Sequence, residues 1–121
     1  MNRSEELERW VRSVFASTDP EAVGLATADG PEVLAIGTDA GEWSQGGDDV
    51  RRLFAEQVVG GVTIEQHDLR AFDEGTVGWG AGNVTFVLPT GERLDARVTF
   101  VAHREGTEWR FVQSHASVAQ R

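Results

Sequence analysis

Two carboxylates three residues apart, Asp39 and Glu42, sit in an irregular, glycine-rich stretch, and a lone histidine, His115, sits in an alternating segment near the other end of the chain. A carboxylate enclosed by apolar surroundings can remove a proton beside a carbonyl, provided a donor meets the developing enolate oxygen. Asp39 and Glu42 are both candidate bases. His115 is a candidate acid or base because an unperturbed imidazole titrates near neutrality. Arg97 can hold an anionic group, or pair with Asp39 or Glu42 across a cavity. Trp43, Trp79, Thr99 and Gln113 complete a candidate substrate-binding set, with Trp43 or Trp10 able to donate an indole N–H. The competing reading is structural: a solvated loop for Asp39 and Glu42, a hydrogen-bonded histidine, an ion-paired arginine and tryptophans that fill the core.

Other chemistries are excluded or lack a signature. With no cysteine in the chain there are no disulfides, thiol nucleophiles or cysteine-ligated clusters. His67, His103 and His115 follow no zinc spacing, so no metal is expected. The run Gly78-Trp79-Gly80-Ala81-Gly82 lies inside a strand pattern and opens no helix, so it is no phosphate loop. No cofactor is expected. Twenty acidic residues against eleven basic ones give a formal charge of -9, which repels nucleic-acid backbones. No apolar run is long enough to span a bilayer, and the amino-terminal segment has no export-type apolar stretch, so the expectation is a cytoplasmic protein without membrane partners.

These side chains need elements to position them. Leu7, Trp10, Val11, Val14 and Phe15 recur at helical spacing behind Ser4, a plausible cap. Thr18-Asp19-Pro20-Glu21 predicts a second helix with Thr18 and Glu21 as a capping box, ending near Asp29-Gly30-Pro31. Val33 to Ile36 predict a short strand, and Asp48 is expected to cap a third helix that ends at Gly60-Gly61. From Val62 the period changes to extended segments, about 62–72, 76–88, 92–104 and 108–118, separated by Asp73-Glu74-Gly75, Pro89-Thr90-Gly91 and Glu105-Gly106. Such short breaks predict an antiparallel meander, and Gly78, Gly80 and Gly82 would let it bend or bulge. Helices first and sheet last make the fold class α+β, with residues 1–121 forming a single domain.

In the last strand Trp109, Phe111, Gln113, His115 and Ser117 share a parity, opposite Arg110, Val112, Ser114, Ala116 and Val118. If the first set faces inward, Trp79, Arg97, Thr99, Gln113 and His115 form a polar-dotted pocket wall. Both faces carry apolar residues, so the outer one is expected to pair with a second copy, giving a homodimer.

The closing segment Trp109-Arg110-Phe111-Val112-Gln113-Ser114-His115-Ala116-Ser117, the stretch Ile36-Gly37-Thr38-Asp39 with Glu42-Trp43 and Gly46, and Arg97-Val98-Thr99-Phe100 resemble members of the SnoaL-like, nuclear transport factor 2-like superfamily. The resemblance implies a cone in which a curved antiparallel sheet wraps over N-terminal helices around a pocket. By its offset from Gly46 and Gly47, Asp39 lies near the position of the base in the superfamily's isomerases. Those isomerases also use a first-helix tyrosine, and this chain has none. Two functions therefore stay open: a cofactor-independent isomerase, cyclase or dehydratase acting on an apolar carbonyl compound, or a non-catalytic ligand-binding or dimerisation module.

Overall fold

The computed structural model describes residues 2–119. The chain opens with a two-residue strand, β1 (Asn2–Arg3), and turns into α1 (Glu5–Ala16). Ser4 caps the helix, its hydroxyl oxygen accepting the Leu7 amide at 3.1 Å, and Glu5, Glu6 and Glu8 occupy the positive end. Leu7 and Val11 are wholly buried, with Trp10, Val14 and Phe15 packed alongside. The next helix, α2 (Pro20–Leu25), is capped by Asp19, which accepts the Glu21 amide at 3.1 Å, and not by Thr18. It stops well short of Asp29 because the chain leaves the helix to join the sheet: Phe111 N–H donates to Ala26 O, and Ala28 N–H to Phe111 O.

β2 (Leu34–Ile36) and β3 (Trp43–Gln45) form a hairpin that the irregular stretch conceals, closed by Gly37 N–H on Glu42 O at 2.8 Å. α3 (Gly47–Val59) starts one residue before Asp48 and has no side-chain cap. Its cap is Gly46, at φ 94°, a conformation that an L side chain resists. Gly47 follows for a different reason: a Cβ there would lie 2.5 Å from Ala28 O.

β4 (Thr63–Glu74), β5 (Val77–Val87), β6 (Arg93–Glu105) and β7 (Glu108–Ser117) form the expected antiparallel meander. The whole sheet has the order β1-β4-β5-β6-β7-β2-β3, and β2 runs parallel to β7, so the sheet is mixed but predominantly antiparallel. It is curved and unclosed, with the helices on one side: an α+β cone. The inner face seats α1 on Leu69, Ala71, Phe100, Ala102, Trp109 and Phe111. The glycines of β5 do not bulge. Gly78 and Gly80 face α1 and Phe100, where a Cβ would strike Leu7 and the Phe100 ring. Register breaks instead at Gln66/Asp68 and at Val101/Ala102, where β7 carries one extra residue, Val112.

Glu8 is a buried acid that hydropathy does not reveal. Its side chain is 2% exposed. Arg3 Nε and Nη2 donate to its two oxygens at 2.8 and 3.0 Å, and the Ala71 amide donates at 3.1 Å. The Arg3 hydrogen bonds, aided by that amide and by the charges of Arg3 and Arg12, hold its pKa at about 2 against the penalty of burial. This clamp fastens β1 to α1 and β4.

Candidate functional site

Between the concave face of the sheet and the helices lies a cavity of about 330 Å3. Its wall is apolar: Phe15, Leu53, Phe54 and Val58 come from the helices, and Ile64, Val84, Phe86, Val98 and Phe100 from the sheet. The polar residues that border it are Ser17, Thr38, Asp39, Glu42, Gln57, Thr99, Ser114 and His115. Asp39 and Glu42 sit on the six-residue loop between β2 and β3. Asp39 is exposed at the loop tip, and its amide donates to Glu42 Oε1 at 2.9 Å.

The remaining sequence candidates occupy the other side of the sheet. Arg70, Ala81, Thr99, His115, Ile36 and Trp43 are paired in one row across the strands, and Phe72, Trp79, Val101, Gln113, Leu34 and Gln45 in the next. Both rows alternate with the buried inner residues Val98, Phe100 and Ala102, so their side chains point outward. The expected grouping of Trp79, Arg97, Thr99, Gln113 and His115 is thus real, but it lies on the convex face. The extra residue Val112 is the cause: Trp109 and Phe111 face inward before it, and Ser114 and Ala116 after it. Thr99 and His115 reach the cavity boundary along their strands while their side chains are exposed. Arg97 pairs with neither Asp39 nor Glu42; its Nη2 donates to Ser117 Oγ at 3.3 Å. Trp43 is 62% exposed on the edge strand, and Trp79 is half-buried.

Of the tryptophans, Trp109 is core. Its indole N–H donates to Glu6 Oε1 at 3.1 Å, and the Arg104 guanidinium lies 4.5 Å from the ring centroid. Ser114 is a cavity residue that the parity argument missed, and Gln57, on α3, is one that no sequence signal singled out. For Ser114 the signal is recoverable only once the bulge is located. Away from the cavity, buried Thr85 links His67 to Asp95. Its hydroxyl donates to Asp95 Oδ1 at 2.7 Å, so the 2.8 Å contact with His67 Nε2 requires the imidazole to donate. No group of three potential metal ligands converges among the described residues.

The chain matches the SnoaL-like domain family over residues 5–121. It belongs to that family. Solved structures agree on the fold. A nuclear transport factor 2-like protein of unknown function from Pseudomonas putida superposes with a TM-score of 0.76 at 15% identity, covering 99% of this chain and 92% of the other. A protein provisionally named a ketosteroid isomerase, from Parabacteroides distasonis, gives 0.73 at 15% identity over 94% and 86%. One provisionally named a calcium/calmodulin-dependent protein kinase II association domain, from Xanthomonas campestris, gives 0.73 at 19% over 95% and 84%. No curated protein matches this SnoaL-like chain. At these identities the likeness extends to the fold alone, and no helix among the described residues is long and apolar enough to cross a membrane.

Proposed function

We propose that this SnoaL-like domain binds a small apolar molecule in the cavity between sheet and helices. The observation that carries the proposal is the cavity itself: about 330 Å3, walled largely by aliphatic and phenyl side chains. A space of that size suits a compact organic ligand, since binding pockets run from about 300 Å3 upward. The test is a fluorescent apolar reporter, N-phenyl-1-naphthylamine, titrated into the wild type and into Ala116→Phe, which adds a ring at the cavity wall. Binding in the wild type and its loss in a folded Ala116→Phe variant are the expected results. Equal binding by the two, or none by the wild type, overturns the reading.

A catalytic role is the second reading, supported by Asp39 and Glu42 lining the same cavity. Asp39 would be the base of a cofactor-independent isomerase, cyclase or dehydratase. In the absence of tyrosine, the Ser114 hydroxyl or the Gln57 amide would have to meet the enolate oxygen. His115 would then contribute from the outer face and not as the proton carrier. Turnover of an apolar β,γ-unsaturated ketone, lost in Asp39→Asn with reporter binding retained, would establish this reading; binding without turnover leaves the non-catalytic one.

We also propose a homodimer through the convex face. Leu34, Phe72, Trp79 and Val101 are only half-buried there in the single chain, and Trp43 stands exposed beside them. Trp43, Trp79, Arg97, Thr99, Gln113 and His115 would then be contact residues instead of substrate ligands.

A further inference from the structure

We infer that the cavity selects apolar amines over apolar acids, with the ammonium group seated at the rim between Asp39 and Glu42; this deepens the cavity-binding reading and depends on it. Among the described residues the wall brings no arginine to the cavity, and the chain has no lysine. His115 borders it with its side chain turned outward. The rim carboxylates are not neutralised by an ion pair within the described residues.

The Glu42 side chain is held in place by the local backbone. One oxygen accepts the Asp39 amide at 2.9 Å, and the side chain folds over Gly37, where a Cβ would stand 2.8 Å from both Glu42 Cβ and Cδ. Its second oxygen and both oxygens of Asp39 are left to accept from a ligand. A carboxylate-headed ligand would meet two like charges and no counter-charge in a chain of net charge -9. An ammonium-headed one would gain two charge-assisted hydrogen-bond acceptors while its tail enters the apolar space.

The experiment is displacement of N-phenyl-1-naphthylamine by octylamine, octanol and octanoate at neutral pH, in the wild type, in Asp39→Asn/Glu42→Gln and in the control Glu92→Gln/Glu105→Gln. Charges of opposite sign about 4 Å apart at a wet rim support roughly a tenfold preference for amine over acid. That ratio is expected to collapse in the rim variant, to persist in the control, and to narrow in high salt. Octanol should displace equally in all three proteins. Octanoate matching octylamine in the wild type, or a ratio unchanged in the rim variant, overturns the amine assignment while leaving the cavity reading intact. A ratio lost equally in the control assigns the preference to overall charge and overturns it too. Failure of the reporter and octanol to bind at all removes both.

Discussion

Glu8→Gln removes one negative charge from the clamp between β1, α1 and β4 while keeping its shape. A carboxyl pKa lowered from 4.5 to about 2, at about 1.4 kcal/mol for each unit, corresponds to roughly 3 kcal/mol of folding free energy. Arg3 is half exposed and regains water when its partner is lost, so solvent offsets part of that. The amide can still accept the Ala71 N–H. The expected cost at pH 7 is therefore about 2 kcal/mol, or a Tm lower by about 6–10 °C for a chain of this size. The pH dependence has a definite sign. Because the folded carboxyl has the lower pKa, its contribution is complete above the unfolded value of 4.5 and is lost as pH falls toward 2. The glutamine variant lacks it at every pH. Urea unfolding followed by tryptophan fluorescence should give a wild-type advantage that is full at pH 6 and about half gone by pH 3. An advantage that stays constant down to pH 3, or none at pH 7, would refute the assignment of Glu8 as an ionised clamp.

Four further outcomes follow from the geometry. Gly47→Ala should destabilise the fold by about 2 kcal/mol or more in chemical denaturation, since its Cβ meets the Ala28 carbonyl at 2.5 Å with no flexible side chain to yield. Thr85→Val should cost about 1–2 kcal/mol by the same assay, because the hydroxyl is buried and both its partners lose their bond. Glu6→Gln weakens the acceptor for the Trp109 indole and the counter-charge of Arg104, and should shift tryptophan emission with about 1 kcal/mol of stability lost. Trp79→Asp places a charge in the middle of the convex face; light scattering should show a dimer for the wild type and a monomer for the variant, and a monomeric wild type would end the dimer proposal.

The elements were legible where the pattern is long and local. The α1 stripe from Leu7 to Phe15 and the four strands of the meander follow from period and turn chemistry, within a residue or two at each end. Legibility failed where the chain's partner is remote. β1 is two residues long and exists because the Glu8 clamp and Ser4, whose amide donates to Ala71 O, hold it against β4. The pattern predicts the short strand β2 at Val33 to Ile36 but not its partner β3, and the hairpin forms because β7 offers β2 a parallel edge. α2 stops early because Phe111 competes for the backbone of Ala26 and Ala28.

The candidate site divided along the same line. Asp39 and Glu42 reached the cavity because a loop position depends only on the strands beside it. Gln113 did not, and His115 borders it only with its side chain turned outward, because parity along a strand is a running count that one extra residue inverts. Before Val112 the count sends Trp109 and Phe111 inward; after it, the same count sends Gln113 and His115 out and brings Ser114 and Ala116 in. The bulge thus exchanges a histidine and an amide for a hydroxyl and a methyl at the cavity wall. That exchange removes a titratable side chain from the interior, so any proton transfer in the cavity would fall to the carboxylates at its rim.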